Sequence, residues 1–184
     1  VVDKMYWPSA AITFEHDNKL MLNSYVDSGY KPVPITEKNK HAIELFLAHI
    51  KNMLSDEKEQ TILLDWLAYV VQNAGKRINW AILLQGAQGT GKSYFAKVLE
   101  WLLGSNAKSL DPSALGERFT GWAHGSLVNI VEEIRIKGDD KWRIMDRLKP
   151  FITNSMVQIE EKGRDHRTVP NFTNYLLLTN YKDA

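Results

Sequence analysis

The sequence of 184 residues contains no cysteine, which excludes a disulfide framework and thiolate metal sites and fits a reducing, cytoplasmic compartment. Nor is there a surplus of either charge. With 23 Lys and Arg against 22 Asp and Glu the formal net charge is +1, so no global basic field announces a nucleic-acid partner and any such surface must be local. No apolar run approaches the ~20 residues that span a bilayer, and no signal peptide is visible, so no membrane partner is expected. The chain starts with Val1 and stops soon after a strong motif, which suggests a piece of a longer polypeptide. What is present is 44% apolar and 24% charged, the balance of a globular chain with a real core.

The chain is organised around Trp80 to Leu103, W-A-I-L-L-Q-G-A-Q-G-T-G-K-S-Y-F-A-K-V-L-E-W-L-L. An apolar run, Trp80 to Leu84, leads into a turn of Gly86, Ala87, Gln88, Gly89, Thr90 and Gly91. Lys92 and Ser93 follow, opening a stretch with apolar residues at helical spacing. Strand, loop and helix in this order, with the full G-x-x-x-x-G-K-S spacing, form a phosphate-binding loop. The glycines let successive N–H groups point inward, and the helix adds the positive end of its dipole. Lys92 can reach the β- and γ-phosphates of a nucleotide, and the Ser93 hydroxyl can ligate the Mg²⁺ that bridges them.

Before the loop, Val1 to about Pro34 is loosely patterned, with a short alternating stretch at Ile12 to Glu15 and turn signals at Asp17-Asn18 and Ser28-Gly29. Residues 1–35 thus read as an extension or linker with short β elements, without visible chemistry. From Thr36, a plausible N-cap, Ile43, Phe46, Leu47, Ile50 and Leu54 share a helical face. Ser55 is the expected cap of a second helix that carries Ile62, Leu63, Trp66, Leu67 and Val70 and stops at Gly75. Residues 36–76 are therefore expected to be a helical region, its apolar stripe core or subunit interface, and residues 77–184 the nucleotide-binding unit.

After the loop, a helix from Ser93 should end at Gly104, and Asp111-Pro112 should open a short helix to about Phe119. Ser126 to Val131 is a buried strand of the parallel-sheet kind, ending in Glu132 and Glu133. In open α/β sheets ligands bind at the carboxyl ends of strands, where the glycine loop also emerges. One carboxylate can then hold Mg²⁺ and the next can act as general base toward water. Standing alone, such a pair could equally be a solvated strand end. Asp139-Asp140 should cap a helix stopped by Pro150. Met156 to Glu160 and Thr168 to Phe172 suggest a β-hairpin with a charged tip around Gly163, where Lys162, Arg164, His166 and Arg167 crowd together. From that stretch alone a solvated hairpin, ion-paired to Glu160, Glu161 and Asp165, is favoured over one that tracks a phosphodiester backbone. A last buried strand, Tyr175 to Thr179, ends at Asn180, which can donate to a γ-phosphate and accept from an attacking water.

The ordered stretches G-A-Q-G-T-G-K-S, L-V-N-I-V-E-E, Q-I-E-E-K-G-R-D-H-R-T-V-P-N and Y-L-L-L-T-N resemble the A, B, B′ and C motifs of superfamily 3 helicases, especially the helicase modules of phage and large-virus primase–helicase proteins. The resemblance covers Thr36 to Asn180 and implies an α/β fold of the AAA+-like P-loop NTPase type, with a mainly parallel sheet flanked by helices. It implies ATP and Mg²⁺ at Lys92, Ser93 and Glu132, water activation by Glu133 and γ-phosphate sensing by Asn180. It also implies a homo-hexameric ring that draws single-stranded DNA from a forked duplex, gripped by Lys162, Arg164, His166 and Arg167, and a primase or polymerase domain earlier in the same polypeptide.

In that family an arginine finger follows the asparagine, but only Tyr181 to Ala184 follow Asn180 here, so this stretch should bind nucleotide better than it hydrolyses it. Two other readings remain. A small-molecule P-loop kinase would need an acceptor pocket and a mobile lid bearing arginine, and an assembly module would use ATP only to join subunits.

Overall fold

The computed structural model describes residues 3–134, 140–163 and 165–180. Near the N-terminus, β1 (Asp3–Met5), β2 (Thr13–His16) and β3 (Lys19–Asn23) form a sheet with β3 central, parallel to β1 and antiparallel to β2. Asp17 and Asn18 form the β2–β3 turn with φ of 49° and 58°, the left-handed pair that matches the twist of a tight hairpin. This segment is tied down rather than trailing. Tyr6 is buried in the main core, and its hydroxyl donates to Asn106 Oδ1 at 2.8 Å.

Two helices follow, α1 (Glu37–Met53) and α2 (Glu57–Gln72). Thr36 is the N-cap of α1, its backbone N–H donating to Asn39 Oδ1 at 2.7 Å. Asp56, not the expected Ser55, caps α2, because its carboxylate accepts from the Lys58 N–H at 2.7 Å. The helix closes at Asn73, two residues before Gly75.

The central sheet takes β4 (Ile82–Gln85), β5 (Ala107–Leu110), β6 (Val128–Val131) and β9 (Asn174–Thr179) in the order β4-β9-β6-β5, all parallel. Between them run α3 (Ser93–Leu103), α4 (Asp140–Thr153) and the antiparallel hairpin of β7 (Met156–Ile159) and β8 (Arg167–Pro170). The chain is thus a mixed α/β fold whose parallel sheet is flanked by helices. Alternate residues of β9 serve opposite faces, as strand geometry requires. Leu176 and Leu178 join a core with Ile50, Leu63, Trp66, Phe95 and Leu99 from α1, α2 and α3. Tyr175 and Leu177 join another with Leu148, Phe151, Val157, Ile159 and Val169 from α4 and the hairpin. Asn129, awkward in an apolar strand, is fully buried but satisfied: Nδ2 donates to Trp122 O at 3.0 Å and Oδ1 accepts from Ser126 Oγ at 2.8 Å.

Two expected elements differ. Asp111 does cap a turn with Pro112 at its first position, but only a 3₁₀ segment, Pro112–Leu115, forms where a helix to Phe119 was expected. The Arg147 guanidinium draws the carbonyls of Gly116 and Glu117 to itself, so they are not offered to a helical ladder. In α4, Pro150 does not stop the helix, which continues to Thr153 and buries Phe151 against Trp122 with ring centroids 5.1 Å apart. Beyond the proline, Phe151 and Ile152 pack into the second core, which offsets the ladder bond that proline removes.

Candidate nucleotide site

The carboxyl ends of β4, β6 and β9 lie side by side, with Gln85 paired to Thr179 and Val131 to Leu177. The glycine loop leaves β4 at that edge. Its first N–H, on Gly86, donates to Thr179 O at 3.2 Å, which ties the loop to the end of β9. Gly89 and Gly91 have φ of 81° and 92°, values that a side chain would strain, so the tight turn needs glycine at both. Thr90 Oγ1 donates back to Ala87 O at 2.9 Å and closes the turn. Lys92 is only 7% exposed, and its ammonium donates to the carbonyls of Gly86 at 2.7 Å and Ala87 at 2.8 Å. That places the one buried ammonium of the loop inside its own curve.

The expected Mg²⁺ pair is brought together across the sheet. Ser93 Oγ, at the start of α3, donates to Glu132 Oε2 at 2.5 Å although 39 residues separate them. Glu133, next along, is exposed and has φ of 56°, a left-handed backbone that costs a non-glycine residue about 1–3 kcal/mol. Its neighbour holds it there: the Ile134 N–H donates to Leu178 O at 3.0 Å and Ile134 O accepts from Thr179 Oγ1 at 2.8 Å. The side chain of Ile134 is itself buried. Two hydrogen bonds and a buried anchor thus hold this strained backbone, and Glu133 lines the cleft beside the loop.

Gln88, Gly89, Gly91, Lys92, Ser93, Glu132, Glu133, Leu178, Thr179 and Asn180 line a cleft of about 330 Å³. Asn180 thus stands where the sequence places it. These lining residues include one ammonium, on Lys92, and two carboxylates, on Glu132 and Glu133, so a divalent cation would offset the charge a polyphosphate adds there. Among the described residues no cluster of three or more His, Cys, Asp or Glu builds a protein cage for a metal. One hydroxyl and one carboxylate instead suit Mg²⁺, which keeps waters and shares phosphate oxygens.

The hairpin is more self-contained than its charge suggests. Arg167 Nη2 meets Glu161 Oε2 at 2.9 Å and is partly buried at the hairpin base. Glu160 receives Arg118 at 2.6 Å and lies 3.5 Å from His166. Lys162 is exposed at the turn beside Gly163, whose φ is 76°. Arg164, the remaining expected contact, lies outside the described residues. Behind the hairpin, burial and then the charges of Arg167 and Lys108 push the His124 imidazole down to about 4, partly opposed by Glu161. A lowered folded value means that below the ordinary 6.5 the unfolded chain binds the proton first. Stability from this residue should therefore be full above pH 6.5 and be lost as pH falls from 6.5 to 4, by roughly 2–3 kcal/mol. Thermal melts across that window should show the loss, and His124→Gln should flatten it.

Two residues at the site are not marked by the sequence: Thr179, which reads only as part of a strand, and His49, which lies outside the apolar stripe of α1. His49 Nε2 lies 3.1 Å from Gly91 O, inside the glycine loop. No local pattern marks either residue, because their partners come from elsewhere in the chain.

Among known families, residues 84–184 match DUF5906, a family of unknown function. The chain belongs to DUF5906. Among curated proteins, this DUF5906 chain is 23% identical over 180 residues to the DNA primase-polymerase of Nitratiruptor phage NrS-1, a match that covers 95% of the chain and 24% of that protein. The apo structure of the NrS-1 C-terminal region, residues 305–718, superposes with a TM-score of 0.81 at 21% identity, over 97% of this chain and 43% of that one. The A form apo structure of the same region gives 0.78 at 21% identity, over 97% and 42%. The DUF5906 chain therefore shares that fold and spans less than half of the solved region. Among its described residues no helix is long and apolar enough to cross a membrane.

Proposed function

We propose that the cleft binds and hydrolyses Mg²⁺–ATP, and that the chain is a P-loop NTPase segment of a phage-type replication protein acting as a superfamily 3 DNA helicase or translocase. The observation that carries this reading is the approach of Ser93 and Glu132 at the mouth of a glycine loop, with Glu133 held beside them. The similarity to a phage DNA primase-polymerase supports the replication setting.

In this mechanism Lys92 and the loop N–H groups hold the phosphates and spread the charge that grows on transfer. Ser93 and Glu132 would hold Mg²⁺, which supplies charge neutralisation at the phosphates when bound. Glu133 takes the proton of a water aimed at the γ-phosphorus, and Asn180 orients that water through its amide. Assembly around a central channel would bring copies of the hairpin together on single-stranded DNA, so that modest contacts from Lys162, His166 and Arg164 add. Arg167, committed to Glu161, braces the hairpin base instead.

The test is ATP hydrolysis by a polypeptide that continues past residue 184, with and without single-stranded DNA. Stimulation by DNA that weakens steeply with salt, and that Lys162→Ala reduces several-fold, is expected for backbone-dominated contacts. Hydrolysis indifferent to DNA would favour a kinase or an assembly module.

A further inference from the structure

The glycine loop meets α1 through a polar side chain. His49, on the last full turn of α1, places Nε2 3.1 Å from the carbonyl oxygen of Gly91. A carbonyl only accepts, so this ring nitrogen carries the proton. The same oxygen accepts the Tyr94 N–H at 3.0 Å, the first turn of α3. The ring is seated on the α-carbon of Gly91 so closely that a methyl group there would lie 2.3 Å from His49 Cε1. Tyr94 and Phe95 flank it, with centroids 5.1 and 5.4 Å away.

The direction of this contact matters. Across a planar trans peptide the carbonyl and the following N–H point opposite ways. Holding Gly91 O toward α1 therefore turns the Lys92 N–H away from α1. The cleft lies on that other side, since no α1 residue is among the described residues that line it. From these contacts we infer that His49 is a positioning residue for the phosphate loop: its Nε2–H fixes the Gly91–Lys92 peptide so that the loop N–H groups face a bound phosphate. This rests on the nucleotide reading of the loop. It also gives α1 a task beyond packing, because the side chain that orders the loop stands on that helix.

The test compares His49→Ala, His49→Phe and His49→Gln in the chain of residues 1–184. Phenylalanine keeps a ring without the donor, and glutamine keeps a donor near the position of Nε2 without the ring. Amide hydrogen exchange at Gly89 to Tyr94 is read without nucleotide, and Mg²⁺–ADP affinity by calorimetry. Alanine and phenylalanine should both speed exchange at the Tyr94 amide, which donates to the same Gly91 carbonyl, and weaken ADP roughly five- to tenfold, the loss of one ordering hydrogen bond, and glutamine should restore most of both. A phenylalanine variant equal to wild type in exchange would overturn the inference, because the ring would then act by packing alone. An alanine variant equal to wild type would overturn it as well. Exchange that depends on His49 in a wild-type chain that binds no ADP would uphold the positioning role and sink the nucleotide reading instead.

Discussion

Replacing Glu133 with glutamine should leave Mg²⁺–ATP bound and slow its hydrolysis by about 10²- to 10⁴-fold, the usual worth of a positioned general base. The amide has nearly the same shape but cannot take the proton of the attacking water. Nothing else should change much, because the left-handed backbone at Glu133 is held by Ile134 and Thr179 rather than by the Glu133 side chain. Single-turnover hydrolysis set beside equilibrium nucleotide binding separates the two steps. Equal loss of binding and turnover would place Glu133 in ligand binding, not in catalysis. Glu132→Gln offers the contrast, since its carboxylate sits on Ser93 Oγ and its loss should fall first on the Mg²⁺ requirement.

Lys92→Ala should have a larger effect on binding, with nucleotide affinity falling on the order of 10²-fold, as when a charge-assisted hydrogen bond to a bound phosphate is removed. Two losses combine here. The ammonium is the one cation among the described residues that line the cleft, so its removal leaves carboxylates as the only charged side chains among them. Its bonds to the carbonyls of Gly86 and Ala87 also disappear, leaving a loosened loop that costs about 1–3 kcal/mol to restore. Lys92→Arg should not rescue, because a planar guanidinium does not fit the tight curve that a compact ammonium fills. Calorimetric titration with Mg²⁺–ADP, alongside a thermal melt, reads both losses.

The parts of the site that sequence reveals are those whose chemistry is local. The glycine loop needs particular residues at adjacent positions, and β6 and β9 announce themselves as apolar runs bounded by turns. The separation of Ser93 and Glu132 along the chain hides their contact, yet each stands in a motif, so their meeting was foreseeable. β5 was not. Ala107-Lys108-Ser109-Leu110 has no β-branched residue, and its strand character comes from pairing with β6 at the sheet edge. The helix expected after Asp111 failed for a similar reason, since Arg147, 31 residues past Gly116, claims the carbonyls it would have used. Pro150 is the converse case, where burial of Phe151 carries α4 past a residue that usually ends a helix. In the hairpin, the pairing of Arg167 with Glu161, six residues earlier, matches the ion-paired hairpin that the stretch alone favours, whereas a grip on DNA comes only from the resemblance. His49 and Thr179 meet the loop at its backbone, at Gly91 O and the Gly86 N–H, and backbone partners leave no trace in residue identity.

The most direct measurement is the binding of ATP to this chain with and without Mg²⁺, wild type against Lys92→Ala. One site per chain, tightened by Mg²⁺ and lost in the alanine variant, is the expected result. No binding at millimolar ATP, or binding that ignores both Mg²⁺ and Lys92, would contradict a nucleotide site in the cleft.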